Sequence, residues 1–281
     1  VRSPARAPAP ILPAPHRPDP ATWPDNGVTL TWLGHASLLL KVWGTTLLVD
    51  PVLRAKIGVS VGPFVVGPQR LVHPALTTDA LPPIDLLLLT HGHMDHTDLP
   101  TLRRLSRDIP VVVQSRNRDL VRRFRHTTVL AWGEHAEVAG VRVEAVPVKH
   151  WGARMIIDKK RGYGGYLLSV TRAGRSVHIL LGGDTAHTDL FTPIGQRVPI
   201  DIAVLAIGAY DPWIWNHANP EQAWEMFEAM GARWLVPIHH ATFVLSHESP
   251  TEPLQRLRAA AGSQHERIAL TQIGETWTLP G

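Results

Sequence analysis

The sequence predicts an α/β fold of αββα type, two mixed β-sheets packed face to face with helices on their outer faces. Three observations predict it. Short apolar runs bounded by Gly, Asp and Pro recur along the chain and outnumber helical patterns. Some of them, such as Leu86–Leu89 after Asp85, are apolar at every position, as strands buried on both faces are. Helical patterns lie between strands without strict alternation, which favours packed layers over one doubly wound sheet.

Residues 1–27 are rich in Pro and Ala and lack apolar periodicity, so they are expected to form an extended arm, with one domain over residues 28–281. Val28–Trp32, Ser37–Trp43 and Thr45–Val49 follow as strands, joined at Trp43-Gly44-Thr45 by a tight hairpin. Ile84–Leu89 is a buried strand. The helix after it is capped by Thr97 or Asp98, carries Pro100 in its first turn and sets Leu99, Leu102 and Leu105 on one face. Later strands are expected at Pro110–Gln114, Val141–Pro147, Gly165–Thr171, Ser176–Leu181, Ile202–Ala206 and Trp234–Ile238. Asn219-Pro220 starts another helix, which runs through Ala223, Trp224 and Phe227 until Gly231 stops it.

Composition narrows the function classes. No apolar run reaches the ~18 residues of a membrane span, so a soluble domain is expected. Cysteine is absent, which excludes disulfides and thiolate metal ligands and leaves cytoplasm or periplasm open, the latter after removal of an upstream segment. A net charge of +4 mildly favours anionic partners. Arginines gather at 103, 104 and 107 and again at 116, 118, 122, 123 and 125, where they are expected to form the solvated faces of two helices. Only Phe124 interrupts them, so no nucleic-acid groove is expected.

Chemistry concentrates in Thr90-His91-Gly92-His93-Met94-Asp95-His96, directly after a buried strand. Three imidazoles and a carboxylate within six residues would each need a partner if they were core packing. At a strand end, His91 and His93 can reach one cation while Asp95 and His96 reach a second beside it. Nitrogen and carboxylate donors without sulfur suit Zn²⁺ first, with Fe and Mn as alternatives. His150, Asp184 and His239 stand at the ends of three other strands and can converge on the same rim. Gly182-Gly183 before Asp184 allows close backbone approach. Any one of these alone reads as an ordinary polar residue at a strand end; together with the histidine loop they read as one site.

Through His91-Gly-His93-Met-Asp95-His96 and Gly183-Asp184-Thr185 the chain resembles the metallo-β-lactamase superfamily. Trp32-Leu33-Gly34-His35-Ala36, Val49-Asp50-Pro51, Ile207-Gly208-Ala209-Tyr210 and Ile238-His239-His240-Ala241-Thr242-Phe243 resemble its N-acyl-phosphatidylethanolamine-hydrolysing phospholipase D branch, from about Val28 to the end. The resemblance implies that His91, His93 and His150 hold one metal, that Asp95, His96 and His239 hold a second, and that Asp184 bridges both. It places Asp50 and His35 just outside as orienting residues and His217 near the substrate phosphate. The family commonly has Trp-Gly after its last histidine ligand where this chain has His240-Ala241, so His239 or His240 could be the ligand, His239 being favoured by position. His187 could reach toward substrate.

The expected function is a dinuclear hydrolase, a phosphodiesterase of phospholipase D type that attacks phospholipid-like substrates through a metal-bridging hydroxide. Asp184 or Asp95 would return the proton to the leaving alkoxide, and the choice between them stays open. Lactone, other ester or β-lactam hydrolysis on the same core is the alternative, because fold does not fix function. A non-catalytic metal-binding module is the remote one, since no ligand type is missing. Trp213, Ile214 and Trp215 precede His217 and either pack under a loop or wall a lipid site. A small-molecule or lipid substrate is expected, and peripheral membrane contact stays open. Assembly into a homo-oligomer stays open.

Overall fold

A computed structural model describes residues 10–62, 64–155 and 158–280. In chain order the strands of the first half are β1 (Val28–Gly34), β2 (Ser37–Val42), β3 (Thr45–Val49), β4 (Val59–Val61), β5 (Phe64–Val66), β6 (Leu86–Leu89), β7 (Val111–Gln114) and β8 (Thr127–Leu130). The second half has β9 (His135–Val138), β10 (Val141–Val146), β11 (Gly165–Arg172), β12 (Arg175–Leu181), β13 (Ile202–Ala206), β14 (Trp234–Ile238) and β15 (Thr276–Thr278). The helices are α1 (Leu99–Leu102), α2 (Thr192–Arg197), α3 (Pro220–Ala229) and α4 (Glu252–Ala261).

One sheet has the order β15-β1-β2-β3-β6-β7-β8 and the other β14-β13-β12-β11-β10-β9, with β4-β5 a separate hairpin. Both are mixed. β1, β2 and β3 pair antiparallel while β3, β6, β7 and β8 pair parallel. The second sheet repeats the scheme, antiparallel from β9 to β12 and parallel from β12 to β14. The expected two-sheet sandwich is thus observed.

Strand periodicity divides the core into layers. On β13, Ile202, Val204 and Ala206 face the layer shared with the first sheet, while Ala203 and Leu205 face the helices. Phe191, Ile194, Ala223, Trp224, Phe227 and Leu257 cover that outer face from α2, α3 and α4. A strand covered on both sides has no polar face, which accounts for its continuous apolar run.

The β2-β3 hairpin turns on Trp43 and Gly44, both at positive φ (46° and 87°), as a primed two-residue turn requires. α3 starts as expected with a capping box, Asn219 Oδ1 accepting from Gln222 N at 2.9 Å and Gln222 Oε1 from Asn219 N at 3.2 Å.

One expectation is corrected. The arginine runs do not line two helices: α1 is a single turn capped by Asp98, and Arg118–Val121 is a short 3-10 turn. Several of these arginines serve the backbone or nearby acids instead. Arg123 donates to the carbonyls of Leu102 and Leu105, Arg107 to that of Arg123, and Arg125 pairs with Asp108. Residues 10–27 also lie against the body. Leu12 bridges Val72, His16 N donates to Ile273 O at 3.3 Å, and Trp23 is buried in the core. One large ring, with Lys41 Nζ on its carbonyl at 3.0 Å, anchors a segment otherwise poor in apolar side chains. Residues 1–9 of the expected arm lie outside the described residues.

Among the described residues no helix is long and apolar enough to cross a membrane. The C-terminal ends of β3, β6, β10, β12, β13 and β14 lead into the segments bearing Asp50, His91–His96, His150, Asp184, His217 and His239. Those segments share one rim.

Candidate metal centre

Asp50, at the end of β3, organises the histidine loop. Its Oδ1 accepts from Thr90 N at 2.8 Å, and its Oδ2 accepts from Thr90 Oγ1 at 2.5 Å and faces His96 Nδ1 at 2.8 Å. A carboxylate can only accept, so His96 carries its proton on Nδ1 and turns a lone pair outward on Nε2. Thr90 Oγ1 donates its hydroxyl hydrogen to Asp50 and therefore accepts from His91 Nδ1 at 3.0 Å, which bares His91 Nε2. His150 Nδ1 donates to the Asn216 carbonyl at 2.9 Å, baring His150 Nε2 in turn. Three tautomers are thereby set by the scaffold.

The bared nitrogens converge. His91 Nε2 and His150 Nε2 lie 2.9 and 3.3 Å from His93 Nδ1, and 3.8 and 3.9 Å from Asp184 Oδ2. His96 Nε2 lies 3.1 Å from the same Asp184 oxygen and 3.8 Å from Asp95 Oδ2. His239 Nε2 stands 3.3 Å from each carboxylate. His35 Nε2 meets Asp95 Oδ2 at 3.0 Å. The side chains thus form two groups, His91-His93-His150-Asp184 and His35-Asp95-His96-His239, with Asp184 also beside His217 and His239.

Lone pairs facing lone pairs repel unless positive charge stands between them. A single proton on His93 Nδ1 can serve one of its two neighbours, not both. Buried polar atoms without a hydrogen-bond partner cluster here as well: His93 Nε2, His96 Nε2, Asp184 Oδ1, His217 Nδ1 and both ring nitrogens of His239. Nitrogen and oxygen donors, several pre-oriented, fit divalent cations.

Titration tells the same story. Burial alone would raise Asp184, but His239, His96 and His217 hold its carboxyl well below the usual range. Burial likewise opposes charge on His239, yet Asp184 and Asp95 hold its imidazole up at about 9. His96 is also raised against burial, by Asp184 and Asp95. Burial pushes His35 and His150 down to about 3 and His217 to about 4, so they stay neutral donors. The centre attracts positive charge between its carboxylates and the imidazoles of His96 and His239.

The histidines and aspartates expected at the site are on this rim except two alternatives. His240 stacks on Trp32 with ring centroids 4.6 Å apart and belongs to neither group. His187 pairs with Glu225 on α3 at 3.3 Å and does not line the cleft, so the expectation that it could reach toward substrate is corrected. Asp50 stands behind His96, while His35, expected just outside, has its Nε2 on Asp95 among the donors of the second group. The roles of Thr90, Asn216 and Thr242 leave no mark in the sequence because they depend on distant partners. Thr242 Oγ1 accepts from His35 N at 2.7 Å across 207 residues of chain.

Gly183 is required where it stands. Its φ is +58°, and a Cβ there would lie 3.1 Å from Gly164 O and 3.3 Å from Thr90 Cβ.

A cleft of about 390 Å³ opens over the centre. Asp95, Asp184, His217 and His239 contribute polar lining, and Met94, Trp151, Trp213 and Leu245 contribute apolar lining. Trp151 packs on the His93 ring at 4.5 Å. Of the tryptophan pair read as either packing under the loop or walling the site, Trp213 lines the cleft, whereas Trp215 does not and is 77% exposed.

Fold and centre define a metal-dependent hydrolase. The family profile described as beta-lactamase superfamily domain matches residues 45–240. An uncharacterized protein of Mycobacterium tuberculosis is 32% identical over 259 residues, spanning 88% of this chain and 68% of the relative. N-acyl-phosphatidylethanolamine-hydrolyzing phospholipase D 1 of Caenorhabditis elegans is 27% identical over 278 residues, covering 90% of this chain and 76% of the relative. Among solved structures, the isothiocyanate hydrolase from Delia radicum gut bacteria superposes with a TM-score of 0.69 at 21% identity, covering 89% of this chain and 98% of that one. The chain belongs to the metallo-β-lactamase superfamily.

Proposed function

We propose that this hydrolase is a dinuclear phosphodiesterase of phospholipase D type acting on phospholipid-like diesters. The observation that carries the proposal is one cleft in which apolar walls meet an imidazole and carboxylate floor. Such a cleft suits a substrate with an apolar body and an anionic reacting group. The nematode relative, named for hydrolysing an N-acylated phospholipid, supports the same class.

His91, His93 and His150 would hold one cation and Asp95, His96 and His239 the other, with Asp184 shared. Zn²⁺ is the first choice, with Fe and Mn as alternatives. Divalent cations bound there supply Lewis acidity and bring the pKa of a bound water toward neutrality. His217, on the cleft wall with Nδ1 3.9 Å from Asp184, would set its imidazole beside a phosphoryl oxygen. Asp95 is 17% exposed where Asp184 is 1%, so Asp95 is the carboxylate open enough to carry a proton to the leaving alkoxide. His35 fixes the rotamer of Asp95 from behind. Trp151, Trp213, Met94 and Leu245 exclude water and take the apolar part of the substrate.

Metal-replete protein assayed on an aryl phosphodiester, a phospholipid, a lactone and a β-lactam tests the proposal. Cleavage of both phosphodiesters is expected, with Trp213→Ala losing far more on long-chain phospholipid than on the aryl substrate and Trp215→Ala losing less. Lactone turnover without phosphodiester cleavage would replace it with the lactonase reading.

A further inference from the structure

Arg70 is among the largest fully buried side chains, 1% exposed, and no carboxylate lies within salt-bridge distance of it among the described residues. Burying a cation without an acid is costly, so its contacts must repay the loss. The guanidinium donates to three backbone carbonyls: Arg54 O from Nε at 2.9 Å, Val72 O from Nη1 at 3.5 Å, and Val52 O from Nη2. It also lies 5.0 Å from the centroid of the Phe243 ring. Gly34 leaves room for it, since a Cβ there would stand 2.9 Å from Nη1.

Each contact leads to the same side of the centre. Phe243 meets the His35 ring edge-on at 5.1 Å, and His35 Nε2 holds Asp95. Val52 N donates to Ser37 Oγ at 2.9 Å, and that hydroxyl donates to Asp50 O at 2.8 Å, so the Val52 carbonyl anchors the turn that orients His96. The backbone of Arg70 bridges that of Phe243, Leu71 N donates to Thr242 O at 2.8 Å, and this segment follows His239 directly. Asp95, His96 and His239 therefore share one support. In the other group His150 depends on the Asn216 carbonyl and His93 packs on Trp151, neither of which Arg70 touches, and only His91 leans on Asp50, through Thr90.

We propose that Arg70 is a positioning residue for the Asp95-His96-His239 group, its planar fork holding the 52–54, 72 and 243 segments in register so that these three donors aim at one point. The inference rests on the two-cation reading of the site. Arg suits the task because its rigid fork donates in several fixed directions, whereas the Lys ammonium is a point donor on a flexible stem.

Metal content and chelator competition with Zn²⁺, and the absorption of Co²⁺-loaded protein, test the proposal in wild type, Arg70→Met and Arg70→Lys. Arg70→Met is expected to bind one of two ions at least tenfold more weakly and the other within about threefold, the scale of lost supporting contacts around metal sites. Arg70→Lys should fall between. Should Arg70→Met fail to fold, Phe243→Leu, which removes the ring contacts to His35 and to the Arg70 guanidinium, should show the same selective weakening. Equal weakening of both ions, or two ions bound as in wild type, would overturn the role of Arg70. A wild-type protein that saturates at one ion would instead overturn the two-cation reading, and the role of Arg70 with it.

Discussion

The two donor groups are built from different materials. His91, His93 and His150 are held by neutral partners, the Thr90 hydroxyl, the Trp151 ring and the Asn216 carbonyl. Asp95, His96 and His239 are held by charge and by each other: Asp50 on His96, His35 on Asp95, and the His35 ring 4.1 Å from that of His239. A carboxylate behind an imidazole raises its basicity, and an imidazole behind a carboxylate fixes its direction. The second group should therefore depend more on the residues behind it. Asp184 is common ground, its Oδ2 facing imidazoles of both.

The largest expected effect removes the common element. Asp184→Ala should weaken both cations together and reduce turnover by more than about 100-fold, beyond the loss typical of outer supporting partners. Elemental analysis of metal-replete wild-type protein should find two ions per chain. A variant that lost only one would show that Asp184 belongs to a single group.

Next, the neighbouring histidines separate the centre from its packing. His239→Ala should lose the Asp95-His96 ion and nearly all activity. His240→Ala should keep both ions and cost about 1–3 kcal/mol of stability through lost stacking on Trp32. The reverse pattern of metal content would move the ligand by one position.

Asp50→Asn removes the charge behind His96 while leaving a group that can still accept from Thr90. About 10–100-fold weaker metal binding is expected, greater for the Asp95-His96 ion. A larger loss at the His91-His93-His150 ion, measured by chelator competition, would show that the first group is the one that depends more on Asp50.

The last effect is on pH dependence, and it is small at any one pH near neutrality. Burial, then the neighbouring His239, lowers His240 to about 3. Its unfolded value is near 6.5, so the unfolded chain binds more protons between those limits. The stability tied to neutral His240 is therefore complete above about pH 6.5 and drains away as pH falls toward about 3. Chelator-treated His240→Phe should show a shallower acid limb, by up to ~1.4 kcal/mol per pH unit. An unchanged slope in denaturant titrations across that range would falsify the assignment.

The sequence by itself determined the strands, the layer architecture and the chemistry of the rim. Runs such as Leu86–Leu89 and Ile202–Ala206 have no polar face to hide, and a loop with His91, His93, Asp95 and His96 has no bland role to fill. Those signals are local, because periodicity and ligand spacing are properties of neighbours. Weak signals were lost: His135–Val138 is half exposed, Thr276–Thr278 is three residues long, and the arginine runs looked helical although they cap loops. Only the tertiary structure decided that His239 and not His240 turns toward the carboxylates, since their backbones differ in φ and one ring has Trp32 to stack upon. It alone set the tautomers through Asp50 and Asn216, put Trp213 on the cleft and Trp215 outside it, and buried Arg70 behind the Asp95 side of the centre. A hydrogen bond or ring contact between residues tens to hundreds of positions apart leaves no spacing to read, because its geometry exists only once the sheets have closed.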